Sequence, residues 1–193
     1  MHTLQHLTEE DLFVLIKKND EHAIAELLQR NKRKLFTAIY LLVKDRYTAE
    51  DLFQDVCIKV ITKIREGKYN DDGRFTPWAL RIARNLTIDH LRVAKRMVKI
   101  TLPDGRDICE LIGVEETNHE QAMMKGQSCG RVRKMLDMIP YEQRETIILR
   151  LYGNMSFKQI AELTGVSLNT SLGRMRYGLI NLRKVMGEKG ILL

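Results

Sequence analysis

"SFKQIAELTGVSLNTSLGRMRYGLINLRK", residues 156–184, decides the fold of the second half of the chain. Ser156 stands where a helix N-cap belongs, because its hydroxyl can accept an N–H that the first turn leaves unpaired. Ile160, Ala161 and Leu163, with Phe157, fall on one buried stripe, and the small Ala161 lets a second helix cross closely. Gly165 supplies the left-handed backbone that a tight turn requires. Val166 plugs the angle between the helices, and Ser167 caps the next one. Together these make a helix-turn-helix. Its second helix carries Ser167, Asn169, Thr170, Arg174, Arg176 and Tyr177 at or near the N-terminal half, where such a helix meets base edges in the major groove. Arginine can pair with guanine, asparagine with adenine, and serine or threonine with phosphate. The alternative is an ordinary helical corner with solvated arginines. The spacing of Gln-Ile-Ala, Gly and Ser argues against it.

Working outward, "VRKMLDMI" runs into Pro140, and "YEQRETIILRLYG" leads to the motif. Upstream, residues 104–121 hold the acids Asp104, Asp107, Glu110, Glu115, Glu116 and Glu120 against one base, Arg106, and read as a linker. The first half is helical, because apolar residues recur at three and four rather than two. Thr8 is expected to cap a helix over 8–18. A long helix over 20–45 carries the stripe Ile24, Leu27, Leu28, Leu35, Ile39 and Leu42. Thr48, with Asp51 in a loose capping box, is expected to start a helix over 49–67. "KYNDDGR" is a turn-rich loop, and Thr76 then caps a helix with Pro77 at its first position. The expected fold is therefore all-α: two small helical domains, 1–98 and 128–193, joined by an acidic linker over 99–127.

Composition narrows the function. Apolar content of 44% permits real cores, and a net charge of +7 points to a polyanionic partner unless it only solvates the surface. Cys57, Cys109 and Cys129 form no CxxC pair, which predicts free thiols in a reducing cytoplasm. The histidines show no metal-ligand spacing, and no metal or cofactor is expected. The polar opening does not read as a signal peptide, and no apolar run is long enough to insert in a membrane.

"GRFTPWALRIARNLTIDHLRVAKR", residues 73–96, is apolar and basic at once. At about 100° per residue, Trp78, Ala79, Ile82, Ala83, Leu86 and Val93 gather on one arc. Arg81, Arg84, Asn85, Arg92 and Lys95 gather on another, with Ile88 among them. One face reads as core and the other as a basic ridge suited to phosphates. Taken alone, that ridge is equally compatible with a solvated basic face. The loop before it adds aromatic and amide groups, which suit unstacked bases.

"AEDLFQDVCIKVI", "FTPWALRIARNLTIDHLR" and "LDMIPYEQRETIILRLYGNMSFKQIAELTGVSLNTSLGRMRYGLINLRK", in this order, resemble a bacterial RNA polymerase sigma factor. The short chain, with two blocks and a linker, is similar to the extracytoplasmic-function (ECF) group. The resemblance implies that the chain binds core RNA polymerase and directs promoter-specific initiation, with no active site of its own. Asp51, Gln54 and Asp55 would be polar contacts to the clamp helices of the largest polymerase subunit. Tyr69, Asn70, Asp71, Asp72 and Asn85 would form the pocket for a flipped base of the minus-ten element. Arg74, Arg81, Arg84, Arg92 and Lys95 would guide the single strand. Trp78 matches a family aromatic, although its phase puts it on the apolar arc. The helix-turn-helix would read the minus-thirty-five element as duplex, but here the chain departs from the family. Leu172 stands for a usual Lys, Gly173 for a usual Ser, and Tyr177-Gly178 for a common Arg-Ala. The two glycines are expected to weaken this helix by up to about 1 kcal/mol each relative to Ala. Members of the group are often held by an anti-sigma factor. A stand-alone repressor would explain the C-terminal motif but not the ridge or "AEDLFQDV", and a nuclease would need acids beyond Asp71 and Asp72 to hold a metal.

Overall fold

The computed structural model describes residues 4–18, 20–69, 74–97 and 134–188, and of 95–97 the backbone alone. The described residues contain helices and no strand. The first block holds α1 (Glu9–Lys17), α2 (Glu21–Val43), α3 (Arg46–Arg65) and α4 (Phe75–Met97). The second holds a helical turn at 134–137, then α5 (Tyr141–Leu151), α6 (Phe157–Thr164) and α7 (Leu168–Glu188). The acidic linker lies outside the described residues.

Local chemistry explains most boundaries. Thr8 caps α1 in a full capping box: its hydroxyl accepts from the Asp11 N–H at 3.1 Å, and the Asp11 carboxylate accepts from the Thr8 N–H at 3.0 Å. Two expected caps are corrected. Asp45, not Thr48, caps α3, and its carboxylate accepts from the Thr48 N–H at 2.6 Å. An ionised acid facing a helix N-terminus is a stronger acceptor than a hydroxyl, so the helix begins three residues earlier. Thr76 lies inside α4, which begins at Phe75. Its hydroxyl is turned inward, donating to Asn31 Oδ1 at 2.7 Å.

Helices α2, α3 and α4 pack around Leu27, Leu35, Ile39, Val56, Val60 and Ala79. Along the α2 stripe Ile24, Leu27, Leu35, Ile39 and Leu42 are buried and Leu28 half-buried. Asn31 interrupts it at 2% exposure, which is tolerable because its Nδ2 donates to the Leu27 carbonyl at 3.0 Å and its Oδ1 accepts from Thr76. Arg30 ties down the N-terminal segment, donating to the Leu7 and Leu4 carbonyls at 2.6 and 2.8 Å. In the second block Ser156 caps α6 in a capping box with Gln159, and Gly165 ends it at φ 70°. The Ser167 hydroxyl accepts from the Thr170 N–H at 3.1 Å and starts α7.

The two blocks share one core. Leu136, Ile139, Ile147 and Ile148 belong to the same buried cluster as Leu80 and Ala83 of α4. At its edge Lys44 Nζ lies 3.4 Å from the Asp137 carboxylate.

Candidate polymerase and nucleic-acid interfaces

Three helices carry those expected residues that the structure describes, and not all of them are open. On α3, Asp51, Gln54 and Asp55 are all exposed. Helical phase places Tyr47 and Ile58 on that same arc, and both are large apolar side chains left open, at 72% and 64% exposure. The opposite face of α3 buries Ala49, Leu52, Val56 and Val60. An exposed aromatic and an exposed aliphatic bracketing two acids on a well-packed helix is the composition of a docking face. The sequence reading had singled out only the polar members of that row.

On α4, Arg81, Asn85 and Arg92 are exposed, and Ala79, Ile82 and Ala83 are buried on the opposite arc. Val93 is in phase with the buried arc yet 49% exposed. No described residue from 88 to 94 is buried, so among the described residues nothing covers these turns fully and phase alone does not bury them. The side chain of Lys95 lies outside the described residues, as do Asn70, Asp71 and Asp72 entirely. Arg74 is exposed and, with Lys34 and Arg150, lines a cleft of about 470 Å³ beside the start of α4, where Glu9 is the one acid among the lining residues.

Two expected strand contacts are placed elsewhere. Tyr69 is buried, its ring edge-on to Phe13 (5.3 Å) and Phe75 (5.8 Å) and tilted over Trp78 at 4.5 Å. Four aromatic rings attract one another in such offset arrangements, so Tyr69 anchors the loop to the core instead of offering a face to a base. Trp78, half-buried in the same cluster, sides with the core. Arg84 is also not on the open ridge. Its Nε donates to Glu145 Oε1 of α5 at 2.9 Å and its Nη1 to the Leu163 carbonyl of α6 at 3.2 Å. The Glu145 side chain is 3% exposed and also accepts from the Tyr141 hydroxyl at 3.3 Å. Burial first, and the Glu145 charge next, push the Tyr141 phenol well above its ordinary range, so it stays a proton donor. Sequence reasoning missed Glu145, which sits among the polar residues of YEQRETIILRL, where nothing in the helical period marks it as buried.

On α7, Asn169, Thr170, Leu172, Arg176 and Tyr177 are exposed, and Ser167 is exposed at its cap. Arg174 is half-buried, and its phase leans toward Ser171 and Gly178, the buried side. The two glycines differ. A Cβ on Gly173 would meet nothing within 4 Å, whereas one on Gly178 would lie 2.9 Å from Ile147 Cδ1 and 3.3 Å from Gln143 Cβ. Gly178 lets α7 approach α5; Gly173 serves no internal contact.

Among the described residues no cluster of His, Cys, Asp and Glu could hold a metal ion, and no helix is long and apolar enough to cross a membrane. Cys57 is a half-buried free thiol whose pKa is raised by burial; Cys109 and Cys129 lie outside the described residues.

Helical bundle, basic ridge and helix-turn-helix, in that order, define a two-domain transcription initiation factor. The family models agree: Sigma-70 region 2 matches residues 27–97, and Sigma-70 region 4 matches 129–171. The chain belongs to the sigma-70 family, in its ECF group. It is 25% identical over 177 residues to the ECF RNA polymerase sigma factor SigW of Bacillus subtilis, covering 90% of this chain and 94% of that one. The fold is similar to that of the sigma factor RpoE in complex with the anti-sigma factor NepR from Bartonella quintana (TM-score 0.68, 22% identity, 84% of this chain and 96% of that one). It is also similar to CnrH in complex with the cytosolic domain of CnrY (TM-score 0.61, 19% identity, 93% and 97%).

Proposed function

We propose that this chain docks on core RNA polymerase through the outer face of α3, reads a minus-thirty-five duplex with α7, and opens the minus-ten element along α4. One observation carries the reading. Helix α4 is built into the core by Ala79, Ile82 and Ala83 and still turns Arg81, Asn85 and Arg92 outward. A basic ridge whose first turns are anchored in the core suits holding a separated strand, because phosphate contacts position it without reading its sequence. A flipped base costs a few kcal/mol of stacking, which contacts from Asn85 and from Asn70, Asp71 and Asp72 would offset.

On α3, Asp51, Gln54 and Asp55 make polar contacts to the clamp helices, and Tyr47 and Ile58 supply the apolar part. On α7, Asn169, Thr170, Arg176 and Tyr177 face the major groove, with Ser167 near the backbone. The chain works in the cytoplasm, carries no cofactor, and is open to an anti-sigma factor, as RpoE is to NepR. A competition against another sigma factor for core polymerase tests the assignment. Asp55→Ala should lose core binding and keep opening per complex, and Arg92→Ala should do the reverse. Equal core-binding losses for both variants would sink it.

A further inference from the structure

We infer that Leu172 and Gly173 set the sequence preference of α7: Leu172 packs on the C5-methyl group of a thymine, and Gly173 lets the helix backbone seat closely in the groove beside it. This rests on the proposed reading of duplex by α7. At about 100° per residue, Leu172, Arg176, Asn169 and Gly173 share one arc of the helix. Ser171, Gly178 and Val185 lie on the opposite arc and are buried. Leu172 is 42% exposed and belongs to neither buried cluster. Gly173 is equally idle inside the fold, since a Cβ there would meet nothing within 4 Å. An exposed leucine alone is ordinary, but a glycine inside a helix weakens it. Side by side on the outer arc, the two form a low, uncharged patch flanked by the exposed Asn169 and Arg176.

The chemistry of the groove names the partner. Of the four bases, thymine alone presents a methyl group in the major groove. A leucine side chain offers neither hydrogen bond nor charge, so a guanine edge or a phosphate at this place would find no partner. The groove is about 12 Å wide and a helix with its side chains is about 10–12 Å across, so one missing Cβ changes how deeply the backbone sits. Leu172 stands three residues after Asn169 and four before Arg176, on the same side of the helix. The thymine therefore lies between the base pairs that those two side chains meet. Where the family's usual Lys would add a charge, this chain places an apolar surface.

The test uses the holoenzyme, reconstituted with core RNA polymerase, on a promoter selected from genomic fragments by transcription. Each thymine of the minus-thirty-five element is replaced in turn by deoxyuridine, which removes only the C5-methyl group. The dissociation constant of the promoter complex is read by fluorescence anisotropy. One such replacement should weaken the wild-type complex about fourfold, the transfer free energy of one buried methyl group. The same replacement should leave the Leu172→Ala complex unchanged, because the methyl then has no partner to lose. Gly173→Ala should weaken the complex at least about fivefold, as a mismatched base pair does, while the melting temperature of the free chain does not fall. A Cβ at Gly173 has open space and Leu172 is exposed, so both variants keep the fold, which circular dichroism checks. An element with no methyl-sensitive thymine, equal deoxyuridine losses for wild type and Leu172→Ala, or undiminished promoter binding by Gly173→Ala would overturn the inference and leave the proposed function standing. A holoenzyme that starts no transcript from any fragment would overturn both.

Discussion

Thr76→Val isolates the polar contact that mounts the melting helix. The hydroxyl of Thr76 is 9% exposed as a residue and donates to Asn31 Oδ1 at 2.7 Å, with Asn31 at 2%. Valine keeps the shape and removes the donor, so a carbonyl oxygen is left buried without a partner. That costs about 1–3 kcal/mol, or roughly a 5- to 160-fold shift in the folding equilibrium. The two positions should also be non-additive. Asn31→Leu removes the acceptor as well, leaving only the bond to the Leu27 carbonyl of its own helix to lose. Replacing both partners by apolar groups is close to neutral, so the double variant should be more stable than Thr76→Val alone. Urea unfolding followed by circular dichroism gives the four stabilities of the cycle. Because Thr76 sits in the first turn of α4, the single variant should also slow promoter opening. A Thr76→Val cost under about 0.5 kcal/mol, within the range of ordinary surface changes, or strict additivity with Asn31→Leu, would refute the claim that this pair anchors α4.

The Asp45 cap has a pH signature. Its hydrogen bonds from Thr48 hold its carboxyl below the usual range, so its stabilisation is present above the unfolded value near 3.9 and is lost as pH falls through the lowered folded value. Asp45→Ala should cost about 1 kcal/mol at neutral pH, and its thermal melts should converge on wild type in acid; parallel curves at every pH would contradict this. The glycines of α7 should separate. Gly173→Ala has open space and should stabilise by up to about 1 kcal/mol, while Gly178→Ala meets Ile147 and Gln143 and should not, as thermal unfolding would show. Two equal gains would mean that α7 does not approach α5 as closely as described. Ile58→Asp, on an exposed position of α3, should leave the melting temperature within error and weaken core polymerase binding in a pull-down; undiminished binding would remove the apolar half of the docking face.

Much of this architecture is legible in the sequence because it is local. Thr8 with Asp11, Ser156 with Gln159, and Gly165 each act within one turn, and each functions as its residue type suggests. The stripe on α2 follows from period alone. The errors are equally physical. Thr48 looks like a cap until Asp45, an ionised acceptor three residues earlier, is compared with it. Periodicity assigns a residue to a face and is silent on what covers that face. Val93 has the right phase and is still 49% exposed. Arg84 has the phase of the open ridge and meets Glu145, 61 residues away. Tyr69 reads as a base-stacking aromatic until Phe13, Phe75 and Trp78 surround it. Long-range polar pairs such as Asn31 with Thr76 leave no periodic trace at all.

The central claim is that this chain opens a promoter in company with core RNA polymerase. Permanganate reactivity of unpaired thymines tests it directly, on genomic fragments selected by transcription with the reconstituted holoenzyme. Reactive thymines are expected in the minus-ten region only when chain and core are both present, with transcripts starting just downstream. Tight binding of the chain alone, as a dimer, to a palindromic duplex, with core polymerase inert and no thymine reactive, would contradict it.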